Sequence, residues 1–205
     1  MRGMTRTAMA VLVTAGALAG CSTGQSAATP SGSATYYGIE PTGTSVTIDS
    51  VRSAQGSTAV TVAGVTLEIP QGFTSSTTTL DSGIKQLMVR DPAQTRAVVT
   101  LTVTPVPRAD NTAVDASSRA AEGRLAATPG WSDVTLSPAT WKGFAYATAV
   151  RATLTQADGS KRDVILVTSR DAAGTKTVGV SAEAAHGQLE GSPAFAILRT
   201  LRFAG

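Results

Sequence analysis

The fold class is decided by residues 143–182, GFAYATAVRATLTQADGSKRDVILVTSRDAAGTKTVGVSA. Apolar and polar residues alternate here with a period of two, which is typical of strands that bury one face. Asp158-Gly159 predicts a type I′ turn between a strand at 143–156 and its return at 162–169. Residues 171–174 predict a second turn, into a strand at 175–182. Three consecutive antiparallel strands are therefore expected.

Alternation with the same period predicts strands earlier in the chain, around residues 46–49, 60–62, 65–69, 86–90 and 96–106. It slips at Ala63-Gly64, so a bulge or tight turn is expected there. One helix is predicted over residues 112–127, ended by Pro129-Gly130. A second helix should begin at Ser192-Pro193, with serine as the cap and proline in the first turn.

The predicted order is strands, a helix, three strands and a helix. It lacks the βαβ alternation of parallel sheets, so we expect an α+β fold in which helices flank an antiparallel sheet. Aromatic residues make up only 4% of the 205-residue chain. The core should therefore consist of small and β-branched side chains, which also favours sheet.

The N-terminus carries the pattern of an export signal. Arg2 and Arg6 precede an apolar run of about 13 residues, shorter than the ~20 that a spanning helix needs. The run ends in Leu18-Ala19-Gly20-Cys21, which resembles a bacterial lipobox, whose cysteine receives a diacylglycerol. The alternative is an ordinary signal peptide with a chance cysteine. The lipobox predicts lipidation at Cys21 and attachment to the outer face of the cytoplasmic membrane.

Three segments follow from this interpretation. Residues 1–20 are predicted to be a lipoprotein signal peptide, residues 21–43 the lipidated cysteine with a flexible tether, and residues 44–205 a globular domain. The tether is rich in Ser, Thr, Gly, Ala and Pro. A flexible chain of this length spans about 25 Å on average.

Composition excludes several classes of protein. The 17 basic and 14 acidic residues give a net charge of +3, and the signal contains two of the basic residues. Because the basic residues are scattered singly, no nucleic-acid partner is predicted. The single cysteine is assigned to lipidation, which leaves no disulfide and no cysteine metal site.

The sequence contains little that could support catalysis. His186 is the single histidine and lies in a predicted loop, and no serine of the predicted globular domain, residues 44–205, stands in a Gly-x-Ser-x-Gly motif. Paired carboxylates for glycoside hydrolysis stay open, although most acidic residues occupy turns. We therefore predict a protein without catalytic residues, metal or cofactor.

One pattern points to a ligand. On the strand at 143–156, small residues occupy one face, and the strand at 175–182 carries small residues at alternate positions. We take Ala145, Ala147, Ala149, Gly179 and Ser181 as one small-residue face and as the candidate ligand site. A helix packed closely on that face would explain the pattern. An apolar groove for an acyl chain, between the sheet and a helix, would explain it equally well.

Four short stretches also carry a family resemblance: Ile69 to Phe73 (IPQGF), Thr128 to Trp131 (TPGW), Gly143-Phe144, and the C-terminal LRTLRF. Together, over residues 60–203, they resemble the actinobacterial lipoproteins of the LpqN/LpqT type, which have a Mog1/PsbP-like domain. The resemblance implies an αβα sandwich and a non-catalytic role in the cell envelope. It also implies binding of mycolate-type glycolipids and partnership with lipid-export proteins.

Two functions are therefore expected as alternatives. The first is a membrane-anchored envelope lipoprotein that binds a lipid or glycolipid, or assists its export. The second is a protein-binding envelope scaffold or accessory subunit with no small-molecule ligand. An unfilled apolar cavity of about 300 Å³ or more would favour the first.

Overall fold

The computed structural model describes residues 40–51, 56–94 and 96–203. The predicted signal peptide, Cys21 and most of the predicted tether lie outside the described residues. In chain order the elements are β1 (Val46–Ile48), β2 (Ser57–Val62), β3 (Val65–Pro70), β4 (Thr74–Thr79), β5 (Lys85–Arg90), β6 (Ala97–Pro105), α1 (Asn111–Ala127), β7 (Trp131–Trp141), β8 (Ala147–Thr155), β9 (Lys161–Arg170), β10 (Lys176–Ala185), α2 (Pro193–Leu198) and β11 (Arg202–Phe203).

The strands form two sheets. The large sheet has the order β1-β7-β8-β9-β10-β6-β5-β4, and the small sheet has the order β11-β3-β2. All neighbours in the two sheets pair antiparallel except β1 and β7, which are parallel. The α+β class with helices flanking an antiparallel sheet is thus confirmed.

Helices lie on opposite faces of the large sheet. On one face α1 packs against β7, β8 and β9. On the other face α2 packs against β10 and β6 and also contacts β3 of the small sheet. The main core lies on this second face and includes Leu101, Val167, Val180 and Leu198, all fully buried. The expected helix–sheet–helix layering is present, and the small sheet shares one outer layer with α2.

Two local predictions are confirmed. The slip at Ala63-Gly64 is the turn of the β2–β3 hairpin, where both residues have positive φ, 49° and 76°. Glycine adopts this conformation without the penalty that a Cβ brings. At the last helix, Ser192 accepts a hydrogen bond from the Phe195 N–H, and Pro193 occupies the first turn.

Two of the longer strands were not predicted. Four strands lie between α1 and α2 rather than three, because residues 131–141 form β7. The strand expected at 143–156 begins only at Ala147. Pro138 and its polar neighbours interrupt the alternation in β7, and proline ordinarily argues against a strand with partners on both sides. The second missed strand is β4, whose sequence TSSTTT has no apolar residue to reveal a period.

The predicted boundary between tether and domain at residue 43 is too late. The N–H groups of Thr42 and Gly43 donate to the Leu136 carbonyl at 2.9 and 3.0 Å, and the Thr42 hydroxyl donates to Glu122. Gly43 passes so close to β7 that a Cβ would lie 2.5 Å from Ser137 Oγ. Residues 40–43 therefore belong to the folded domain.

Candidate functional site

The structure divides the predicted small-residue face between the two faces of the large sheet. Ala149 on β8 is aligned with Val167 on β9, which is aligned with Val180 on β10. Gly179 is aligned with Thr168, which is aligned with Thr148. Gly179 therefore lies on the opposite face of the sheet from Ala149. The prediction that all five residues share one face is wrong.

The three alanines do not line a groove. Ala147 and Ala149 are 4% and 0% exposed and belong to the main core. Ala145 is exposed in the bend before β8. Burial in the main core therefore accounts for Ala147 and Ala149, whereas α1, the helix that packs against β8, lies on the opposite face.

On the other face, α1 covers one half of the large sheet. Ala121 of α1 packs with Leu136 and Val150. The polar groups beneath the helix are paired: the Ser118 and Thr148 hydroxyls lie 2.5 Å apart, and the Tyr146 hydroxyl donates to Asp115 at 2.6 Å. Such pairing removes the cost of burying these groups.

The same face continues beyond α1 without a covering element in the described part of the chain. Here β10, β6 and β5 present half-buried side chains that are polar or small, with one methionine. We call this surface the open half-face and define it by Gln86, Met88, Thr100, Thr102, Gly179 and Ser181. It contains two of the five predicted site residues. Its threonines were visible in the sequence as the polar positions of residues 97–105, AVVTLTVTP.

The open half-face ends at β4, the edge strand of the large sheet. Five of the six residues of β4 are exposed, and the strand contains no charged residue and no proline. The remaining one, Ser76, is half-buried and accepts a hydrogen bond from Arg90 at 3.1 Å. Within the described residues no strand pairs with its outer side, so this side presents backbone N–H and C=O groups to solvent.

A charged cluster lies at the rim of the open half-face, at the end of β10. Glu183 is 16% exposed, and its carboxylate lies 3.6 Å from Arg96 Nη1 and 3.3 Å from Arg162 Nε. Burial raises the pKa of Glu183, and attraction to the two arginines offsets only part of that effect. A groove of about 250 Å³ next to Glu183 is bordered by Phe73 and Pro193.

The single histidine also lies at this end of the sheet. His186 Nδ1 is 2.6 Å from Asp163, which accepts further hydrogen bonds from the Gly187 N–H and the Thr153 hydroxyl. Burial acts to raise the pKa of Asp163, but these hydrogen bonds outweigh it and lower the pKa. His186 is exposed and orders a turn, in keeping with its predicted place in a loop.

We also searched the described residues for a membrane-spanning helix and for a metal-binding cluster. No helix among the described residues is both long and apolar enough to cross a membrane. The described ranges also contain no group of three or more His, Cys, Asp or Glu residues that could hold a metal ion.

No family model and no curated protein matches this chain. Among solved structures, LpqN of Mycobacterium tuberculosis, a protein involved in cell envelope biogenesis, is similar with 18% identity and a TM-score of 0.46. That similarity covers 73% of this chain and 91% of LpqN. The Ran-binding protein Mog1p of Saccharomyces cerevisiae is similar with 12% identity and a TM-score of 0.40, over 74% of this chain and 97% of Mog1p. Both names occur in the sequence resemblance. Because both scores lie below 0.5, the α+β class rests on the strand order of this chain itself.

Proposed function

We propose that this protein is an exported lipoprotein of the cell envelope, attached through Cys21 to the outer face of the cytoplasmic membrane. It works without catalysis, by binding an extended segment of a protein partner along β4 and the open half-face. The observation that carries the proposal is the exposed outer side of β4, which has none of the features that usually block an edge strand.

The anchor rests on the Leu18-Ala19-Gly20-Cys21 pattern and on where the domain begins. Thr42 and Gly43 are hydrogen-bonded to Leu136 of β7, so the predicted tether shortens to residues 22–39 at most. A flexible chain of 18 residues spans about 21–25 Å on average. A partner in the same membrane, or close to it, would be within reach.

The edge supplies the main-chain part of recognition. An extended peptide that adds to a free sheet edge gains a ladder of backbone hydrogen bonds, whatever its sequence. Exposed edges are commonly guarded by charged residues, proline or bulges. In β4, TSSTTT provides none of these, and its short side chains leave the backbone accessible.

The open half-face supplies side-chain contacts to a part of the partner that extends over the sheet from the edge, since β6 and β10 lie two and three strands in from β4. Thr100, Thr102, Ser181 and Gln86 offer hydroxyl and amide groups, which can pair with a polar segment. An acyl chain laid across these groups would bury them without partners, at a cost of about 1–3 kcal/mol each. This chemistry favours a protein segment over the hydrocarbon of a lipid. A glycolipid head group, which is also rich in hydroxyls, is the competing ligand.

The test is site-specific photo-crosslinking of the full chain in its native host. A photo-reactive residue replaces Thr78 on β4 and, as the matched control, Thr58 on β2, an exposed threonine on the edge strand of the small sheet. The mass of each adduct then identifies what lies against each edge.

We expect a protein adduct of defined mass at position 78 that is absent at position 58. In a second experiment the probe replaces Thr77. Thr78→Lys should then abolish the protein adduct, because a charged residue on an edge strand blocks pairing. Thr58→Lys should leave the adduct intact. A glycolipid adduct at position 78 would show that the competing ligand binds there and would contradict a protein partner. Equal adducts at both positions, or none, would contradict the proposal.

A further inference from the structure

A second groove lies where the chain enters the domain, beside β1, β7 and β8. Its volume is about 320 Å³. The wall is formed by residues 43–47, and the floor carries the side chains of Thr135, Ser137 and Arg151. It is lined by hydroxyl groups and one guanidinium, and the carboxylate of Glu190 approaches that guanidinium.

Arg151 is incompletely paired. Its Nη2 lies 2.9 Å from Glu190 Oε1, while its buried Nε has no hydrogen-bond partner among the described residues. Glu190 is 59% exposed and follows β10 in a surface turn, so it can move away from the guanidinium at little cost. The ion pair shows that an anionic oxygen fits against Arg151.

The backbone around Arg151 is irregular. The β7–β8 register shifts between Ser132 and Thr135, and Asp133 within that bulge has a positive φ of 53°. Bulges re-aim side chains and are over-represented next to functional sites. Here the register resumes with Thr135 directly opposite Arg151, so the two side chains project from the same face of the sheet.

The hydroxyls of the groove are held in place by the close approach of residues 43–47. Ser137 is only 2% exposed, and Gly43 passes over it with no room for a Cβ. The hydrogen bonds of Thr42 to Leu136 fix this segment against β7. Hydrogen bonds to β7 therefore hold the segment that enters this wall of the groove.

We propose that this groove binds the phosphate group of a phosphate ester. Arginine presents a planar fork of donors that matches phosphate oxygens, and the half-buried Thr135 supplies a further hydroxyl donor. The phosphate displaces the carboxylate of Glu190 from Arg151. This site is separate from β4, so its failure and the failure of the protein-binding proposal are distinguishable.

The test measures the rise in melting temperature of the full chain with sodium phosphate, against sodium chloride at equal ionic strength. A ligand that binds the folded state raises the melting temperature according to its affinity. Arg151→Gln should weaken phosphate binding about tenfold or more, because it removes a charge-assisted contact. Glu190→Gln should strengthen binding, because it removes the competing carboxylate.

Arg96→Gln is the matched control, since Arg96 is a similarly exposed arginine in an ion pair elsewhere on the sheet. It should leave phosphate binding unchanged. If Arg151→Gln disturbs the fold, Glu190→Gln still tests the proposal through the opposite sign of its effect. Equal losses in Arg151→Gln and Arg96→Gln would mean a general response to charge and would overturn the site. So would weaker binding in Glu190→Gln, or no response of the wild-type chain to phosphate.

Vesicles distinguish a lipid head group from a soluble phosphate ester. The full chain with Cys21→Ala, which lacks the predicted anchor, is sedimented with vesicles of phosphatidylglycerol. Binding that is lost in Arg151→Gln assigns the phosphate to a phospholipid. A chain that responds to inorganic phosphate but not to the vesicles assigns it to a soluble ester.

Discussion

One face of the large sheet is divided into two halves of different character. Under α1 it carries Leu136 and Val150, and the polar side chains there form two hydrogen-bonded pairs, Ser118 with Thr148 and Tyr146 with Asp115. Beyond α1 it carries Thr100, Thr102 and Ser181, which remain half-buried. Both halves belong to one hydrogen-bonded sheet. Polarity changes from strand to strand across the sheet, and this change determines where the helix packs.

The largest expected difference between the two halves is at Leu136, which is fully buried beneath α1. Leu136→Ala should lower the free energy of unfolding by about 2–5 kcal/mol, because it leaves a cavity between helix and sheet. Met88→Ala, the matched change on the open half-face, should cost less than about 1 kcal/mol. Urea denaturation of both variants measures the difference. Equal losses would mean that something covers the open half-face.

Two of the predicted ligand residues test the division of the faces. Ala147→Phe should lower the free energy of unfolding by about 1–3 kcal/mol, because its ring has no space in the main core. Gly179→Ala should instead raise it by about 0.4–1 kcal/mol. An added Cβ there would make an ordinary contact, 3.8 Å from Leu166 Cδ1. Thermal unfolding compares the two variants. An Ala147→Phe variant as stable as the wild type would mean that there is space for a groove beside Ala147.

The smallest expected effect concerns the rim of the open half-face. The pKa of Glu183 is raised above its usual value of 4.5 in the folded state, so the folded state binds the proton more tightly. The stabilisation from that proton is complete below pH 4.5 and is lost as the pH rises through the folded-state pKa. The unfolding free energy of the wild type, relative to Glu183→Gln, should therefore fall as the pH rises from 4.5. Urea titrations at several pH values measure it, and a rising difference would contradict the assignment.

The fold could be predicted wherever local chemistry was explicit. Ala63-Gly64 marked a hairpin and Ser192-Pro193 marked a helix start, since each pattern has a conformational cause within a few residues. The edge strand β4 could not be predicted, because TSSTTT has no apolar face and its pairing depends on β5. The folded course of residues 40–43 depends equally on β7, more than ninety positions away.

The prediction of the candidate site was wrong for a different reason. The alternation on each strand was correct, but two turns determine how the faces of β8 and β10 correspond. Residues 156–160 connect the last pair of β8 and β9, and residues 171–176 connect the last pair of β9 and β10. One connection has an odd length and the other an even length, so Gly179 falls opposite to Ala149. A single residue more or less in either turn would reverse the outcome.

The parallel pairing of β1 with β7 has a consequence for the order of assembly. Val46 lies beside Ala139, about ninety residues later, so β1 has no partner until β7 has been made. A chain that emerges N-terminus first would expose β1 long before its partner, and the loop that joins them is costly to close early. The hairpins between β7 and β10 are local and can form without it. Attachment of β1 is therefore a late event, and the groove around Arg151 is completed with it.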